Sequence, residues 1–225
     1  MARKKQSRGK CVFCGREMTR GGLAKHLESC AARQEAVSHA DQKPGNEQTI
    51  YHLQVQDAWA GDFWLHLEMR DSATLKTLDS YLRTIWLECC GHLSRFSFDS
   101  YGDEQVGMSS KAGSVFRPGV ELLHIYDFGT SSETKIKVVS ARQGKPLTKH
   151  SIYLMARNEP PEVKCCKCGE PAAWLCMECE DEETGAALLL CGKHVKAHKE
   201  HAILPFVNSP RTGMCGYEGP AEPPY

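Results

Sequence analysis

The residues in this chain best suited to chemistry are its cysteines and histidines, and their spacing points to metal binding. There are 12 Cys and 10 His in 225 residues. In a reducing compartment, cysteines in that number indicate metal ligation rather than disulfides. Toward the C-terminus the order is Cys165-x2-Cys168, Cys176-x2-Cys179, Cys191-x2-His194 and His198-x2-His201. A C-x2-C turn puts two thiolates on one knuckle, and four such pairs supply the ligands of two tetrahedral zinc sites with none left over. A structural zinc site is closed in this way, whereas a catalytic zinc keeps a position for water. The pair order implies interleaving. Cys165, Cys168, Cys191 and His194 would share one ion, and Cys176, Cys179, His198 and His201 the other. Cys166 competes with Cys165 as the first ligand.

The bland alternative is that His194, His198 and His201 form one polar helix face, since they fall at i, i+4 and i+7. Three cysteine-bearing pairs just upstream outweigh it. His198-Lys-Glu-His201 differs from the H-E-x-x-H of zinc proteases in spacing and in the place of the Glu. A deaminase site needs H-x-E together with P-C-x-x-C, and the chain has no such pair. The C-terminal pattern resembles a B-box-type cross-brace module, with a longer gap than usual from Glu180 to Leu190.

A second ligand set lies at the N-terminus, where Cys11-x2-Cys14 is followed by His26 and Cys30. Residues four apart on a helix project from one face, so His26 and Cys30 can complete a site begun by the two thiolates. Met18 and Leu23 fall between the pairs, where a ββα finger needs its few core side chains. Thr19 or Arg20 starts the helix, and Gly21-Gly22 weakens its first turn. The segment resembles a two-Cys, two-His zinc finger whose last His is replaced by Cys. The expectation is therefore three zinc ions per chain.

Charge separates the two ends, although the formal net charge is zero. Arg3, Lys4, Lys5, Arg8 and Lys10 form a basic arm, and Arg16, Arg20, Lys25 and Arg33 carry the charge through the finger. Such a segment suits DNA or RNA phosphates and binds them in a salt-dependent way. A single finger reads only ~3 base pairs, so its specificity would be poor. The acidic residues of 161–225 suit a protein partner better than a polyanion.

The elements between these sites follow from periodicity. Tyr51, Leu53 and Val55 alternate with polar residues, as do Phe63, Leu65, Leu67 and Met69, with Ala60-Gly61-Asp62 as the turn. This predicts a β-hairpin. Asp71 or Ser72 offers an N-cap for a helix through Leu75, Leu78, Leu82, Ile85, Trp86 and Cys89, stopped at Gly91. Cys89 then belongs to the packed apolar face. Further strands are expected at 94–98, 120–127, 135–140 and 151–156, with a long loop over 99–119. His52, His66 and His124 fall in strands, solvent-facing or hydrogen-bonded. Asp127 is read as bonding the turn at Gly129. Residues 34–49 read as a polar linker and 208–225, rich in Gly and Pro, as a flexible tail.

Thr74-Leu75-Lys76-Thr77-Leu78, Gly91-His92-Leu93-Ser94-Arg95-Phe96 and Tyr126-Asp127-Phe128-Gly129, in that order, resemble the plasmid pRiA4b ORF-3-like family over about half the chain. The resemblance implies a compact α+β domain with an antiparallel sheet, and makes His92 a candidate site residue. Family members often continue Y-D-F-G-D-x-W-x-H, whereas here Thr130-Ser131-Ser132-Glu133-Thr134 follows, so chemistry tied to those residues is not expected.

The domain reading is thus a finger at 1–33, the linker, an α+β domain at 50–160 whose antiparallel sheet carries a covering helix, a double-zinc module at 161–207, and the tail. No apolar run approaches the ~20 residues of a membrane span, and a soluble cytoplasmic protein is expected. The functional expectation is a zinc-binding, non-catalytic protein that is nucleic-acid-associated or an adaptor. The alternative is an enzyme of unknown chemistry in the central domain, its zinc modules recruiting partners.

Overall fold

The computed structural model describes residues 6–98, 104–182 and 184–225. The fold is α+β and divides into two compact units. One comprises Met1–Leu82 and Leu93–Glu159, the other Arg83–His92 and Pro160–Tyr225.

The first unit is built on an antiparallel sheet. In chain order its elements are β1 (Arg8–Cys11), β2 (Glu17–Thr19), α1 (Arg20–Ser29), α2 (Ala31–Asp41), β3 (Gln48–Asp57), β4 (Trp64–Arg70) and α3 (Leu75–Leu82). There follow β5 (Ser94–Ser97), β6 (Gln105–Val106), α4 (Ala112–Val115), β7 (Glu121–Tyr126), β8 (Ser132–Gly144) and β9 (Ile152–Asn158). Among the described residues the strand order is β2-β1-β9-β4-β3-β8-β7-β5-β6. The β3–β4 hairpin pairs Ile50 with Arg70 and Gln56 with Trp64. Its loop is held by Asp57, whose Oδ1 accepts from the amides of Trp59, Ala60 and Gly61 while Oδ2 accepts from Phe63.

The finger is not a separate bead. β1 pairs with β9, setting Gly9 opposite Asn158 and Cys11 opposite Ala156, so the finger hairpin extends the central sheet. A Cβ on Gly9 would stand 2.1 Å from the Arg157 carbonyl oxygen and 2.5 Å from Trp64 Cη2, so the pairing requires glycine there. The finger core draws on both regions. Cys11, Leu23, Leu27 and Cys30 pack with Trp64, Met155 and Ala156 of the sheet. Trp64 Nε1 donates to Ser7 Oγ.

This packing explains why β4 departs from simple alternation. Residues Trp64–Met69 are all buried, the polar His66 and Glu68 included. Glu68 accepts from Arg33 at 2.7 Å and from Arg142 at 3.0 and 3.1 Å. A buried carboxylate is tolerated when its charge is paired and its lone pairs are used.

The linker expected over 34–49 is helical as far as Asp41. Ala-rich composition favours the helix, Arg33 anchors its start on Glu68, and the Lys145 amide donates to Asp41 Oδ1 at its end. The α3 helix begins later than expected. Thr74 Oγ1, not Asp71 or Ser72, accepts from the Thr77 amide as its cap. The α-helix also ends earlier, at Leu82, and a π turn over Arg83–Leu87 follows. Cys89 therefore leaves the helix, and it is half-buried rather than core. The expected loop over 99–119 contains β6 and α4, with residues 99–103 outside the described set.

The second unit holds a small antiparallel sheet of β10 (Trp174–Glu180), β11 (Ala187–Leu190) and β12 (Ile203–Pro205) in the order β11-β10-β12, with a 3-10 helix at His194–His198. The segment 208–225, expected to be a flexible tail, is packed. Ser209, Arg211, Tyr217 and Ala221 are buried, and Ser209 Oγ donates to the Trp86 carbonyl. No helix among the described residues is long and apolar enough to cross a membrane.

Candidate metal centres

The local structure at the finger follows from its spacing. The Gly15 amide donates to the Cys11 carbonyl, and Gly15 has φ 71°, closing the knuckle that presents Cys11 and Cys14. Thr19 Oγ1 caps α1 by accepting from the Gly22 amide, as the sequence implied. Leu23 and Leu27 are buried on that helix, and His26 points with them toward the thiolates. Cys14 Sγ lies 3.2 Å from His26 Nε2, and Cys11 Sγ lies 4.0 Å from Cys30 Sγ.

The second unit brings together the two interleaved groups. Cys165 Sγ lies 3.5 Å from His194 Nδ1, and Cys168 Sγ lies 3.8 Å from Cys191 Sγ. In the other group Cys179 Sγ lies 3.5 Å from His198 Nδ1 and 3.2 Å from His201 Nδ1, and Cys176 Sγ lies 3.3 Å from that same His201 nitrogen. Cys165, not Cys166, sits in the cluster. Cys166 is exposed, and its amide donates to the Leu189 carbonyl.

Ligands ~2.0–2.3 Å from a shared tetrahedral zinc lie about 3.3–3.8 Å apart. Each group has one ligand atom per residue, all within 4.8 Å of one another. Bonded sulfurs would lie about 2.05 Å apart, and all the cysteines are free. The donor sets, three cysteines with one histidine or two with two, suit zinc, and four protein ligands leave no position for water. Such an ion would contribute folding energy.

The surroundings shift these thiols in different directions. Burial pushes the Cys11 thiol up to about 11. A hydrogen bond with Cys215, followed by one with Cys89, drives Cys90 up to about 12. At Cys165 burial acts upward, but hydrogen bonds from the Cys191 and Lys167 backbone and from His194 bring it down to about 6.

The number of groups differs from the three expected. Cys89, Cys90, His92 and Cys215 form a fourth. The sequence offers it one pair, Cys89-x2-His92, with the spacing of Cys191-x2-His194. That pair is masked by the expected helix through Cys89, and Cys215 lies 123 residues from His92.

The residues expected to meet nucleic acid are dispersed. Arg3, Lys4 and Lys5 lie outside the described residues. Arg8 pairs with Glu17 at 2.8 Å and Lys10 with Glu159 at 2.9 Å. Arg20 is half-buried, its guanidinium 3.4 Å from the Gly61 carbonyl, and burial lowers its pKa while Asp57 acts the other way. Lys25 and Arg16 are exposed.

Beside Arg20 a cleft of ≈ 650 Å³ runs along the β3–β4 loop, lined among others by Gln6, Gln54, Gln56, Trp59 and Lys137. Trp59 is 80% exposed.

Of the two readings, solvent-facing or hydrogen-bonded, the second holds: His52, His66 and His124 are buried and hydrogen-bonded. His66 Nε2 must donate to the Arg20 carbonyl at 3.1 Å, so its Nδ1 accepts from His52 Nε2 at 2.9 Å. Burial holds both neutral, lowering His52 to about 3 and His66 to about 4. His124 Nε2 meets Asp79 Oδ1 at 2.8 Å. Asp127 has φ 67°, and its Oδ1 accepts from the Gly129 amide at 2.9 Å, as a turn residue does.

No family model matches the chain, and no curated protein does. Among solved structures, a protein of unknown function, MM3350 from Methanosarcina mazei Go1, is similar. It is 19% identical, covers 48% of this chain and 67% of that one, and has a TM-score of 0.40.

Proposed function

We propose that the chain is a zinc-binding, non-catalytic protein of the cytoplasm that associates with nucleic acid through its N-terminal region. The central region is read as pRiA4b ORF-3-like on its sequence motifs. The C-terminal cross-brace, in the manner of a B-box, is read as an adaptor surface for a protein partner.

The observation that carries the nucleic-acid reading is the cleft beside α1. It sets the exposed ring of Trp59 near the cations of Arg20 and Lys137, with Gln54 and Gln56 as polar neighbours. Aromatic stacking combined with positive charge is how single strands are held without sequence preference. Lys25 and Arg16 are exposed cations of the same N-terminal region, and Arg3, Lys4 and Lys5 add to its charge in the sequence. The charge is small, because Asp57 and Asp62 also line the cleft, Arg8 and Lys10 are paired, and Lys137 lies 3.0 Å from Glu121. The expected binding is therefore weak, salt-sensitive and better for single strands than for duplex.

The enzyme alternative would call on His92, the candidate that the family resemblance offers. His92 stands in a cysteine cluster and Asp127 bonds a turn, so the binding reading is preferred.

The test is fluorescence anisotropy of the full chain with single-stranded DNA, duplex DNA and RNA across a salt series. Trp59→Ala is expected to remove about 1–3 kcal/mol per stacked base. Arg16→Glu with Lys25→Glu is expected to flatten the salt dependence. No binding at low salt, or binding that ignores all three substitutions, would replace this reading with the adaptor one.

A further inference from the structure

We infer that Cys89, Cys90, His92 and Cys215 are the ligands of a fourth zinc ion, which closes the C-terminal segment onto the Arg83–His92 excursion. This goes beyond the binding reading above and does not depend on it. All four residues belong to the second unit.

The geometry is that of a coordination shell. Cys90 Sγ lies 3.7 Å from Cys89 Sγ, 3.6 Å from Cys215 Sγ and 2.9 Å from His92 Nε2. His92 Nε2 is 3.3 Å from Cys215 Sγ. Three of these four separations fall within the edges of about 3.3–3.8 Å expected for a zinc tetrahedron, the Cys90–His92 one is shorter, and all are far from the ~2.05 Å of a disulfide.

The backbone is shaped to deliver the ligands. After the π turn, Glu88 Oε1 accepts from the Gly91 amide at 2.6 Å, while Glu88 Oε2 pairs with Arg83 at 2.5 Å. Gly91 has φ 79°, and it turns the chain between Cys90 and His92. On the opposite segment Cys215 has φ 48° between Gly213 at 77° and Gly216 at 65°. A cysteine in that region is strained and persists only where its surroundings fix it.

An independent observation concerns charge. Arg211 is fully buried, and its Nη2 lies 3.4 Å from Cys89 Sγ. Three thiolates and a neutral histidine on Zn2+ would leave a net charge of −1, and the Arg211 guanidinium lies close enough to Cys89 to favour it. Its neighbour Ser209 holds the Trp86 carbonyl, so a packing contact beside the cluster keeps the two segments together before the ion enters.

Binding requires no redox step. Three thiols give up their protons to solvent as three S–Zn bonds and one N–Zn bond form.

The test uses the full chain purified from zinc-replete medium. Native mass spectrometry is expected to show four zinc ions in the wild type and three in both Cys90→Ser and Cys215→Ser. A wild-type count of three, or a variant that keeps the wild-type count, overturns the site. Alkylation supplies a readout that needs no variant. Cys90, Cys166 and Cys215 are all exposed, but only Cys166 lies outside the four groups. Cys90 and Cys215 are expected to react about tenfold more slowly than Cys166, or slower still, until a chelator is added. Equal rates for all three, or a metal-free chain two hydrogens lighter with Cys89 joined to Cys90, would also overturn it.

Discussion

The N-terminal finger and the C-terminal cross-brace use similar ligands in different settings. In the finger core, Cys11 and Cys30 are joined by Leu23, Leu27, Trp64, Met155 and Ala156, and the last three come from the sheet. In the cross-brace core the buried residues are Cys165, Cys176, Leu190 and Cys191. There the ligands are most of the core. The finger borrows hydrophobic burial from a large neighbour, whereas the cross-brace has little to fall back on. The same ion should therefore matter far more at one end than at the other.

The largest expected effect follows directly. Structural zinc supplies roughly 10–16 kcal/mol in isolated finger peptides, so Cys176→Ser should unfold the small sheet. Hydrogen exchange is expected to show loss of protection along β10 and unchanged protection along β4. Cys14→Ser should leave the β1–β9 ladder protected. Equal collapse at both ends would remove the distinction.

Next in size is the burial that the finger borrows. Trp64 is fully buried, and Trp64→Ala should cost about 3–5 kcal/mol of first-unit stability, read from denaturant midpoints. Zinc content of the finger should fall with it, because the helix carrying His26 loses its support.

Acid should act on the first unit through His52 and His66. Both have folded pKa values depressed below the usual 6.5, to about 3 and about 4, by burial first of all. The unfolded chain therefore takes up protons that the folded one refuses. The stability is present above about pH 6.5 and falls as pH drops toward 4, by up to about 1.4 kcal/mol per histidine per pH unit. His52→Gln with His66→Gln should flatten the pH dependence of the midpoint in that window.

The smallest expected effect is local. Gly9→Ala places a methyl group against the Arg157 carbonyl, and the strain should cost about 1–3 kcal/mol. It should appear as faster exchange in β1 with zinc content retained.

What the sequence revealed depended on how local each signal was. The β3–β4 hairpin was legible because its alternation and turn lie within 23 residues, Gln48–Arg70. The interleaved groups were legible because every ligand has a partner within a few positions, even though the groups close over long distances. The alternation could not show that Arg20, Arg33 and Arg142 would satisfy His66 and Glu68 from elsewhere and so let the polar face of β4 be buried. The same limit hid α2, whose polar surface has a single buried residue, Ala40. It also hid the packed segment 208–225, where Gly and Pro suggested freedom but Arg211 and Tyr217 are buried. The fourth group needed Cys215, whose role has no neighbour in sequence to announce it.

The pairing of β1 with β9 also sets a schedule for synthesis. Cys11 stands opposite Ala156, so the strand carrying the first ligand lacks its partner until the chain has grown through that position. At ~5–20 residues per second the wait is about 7–30 s. All four finger ligands are out of the ribosome early in that interval, while Trp64 and Met155 arrive in turn. Metal capture can therefore precede the sheet that later secures it, and the nascent finger spends that time with Leu23 and Leu27 lacking the surface they finally cover.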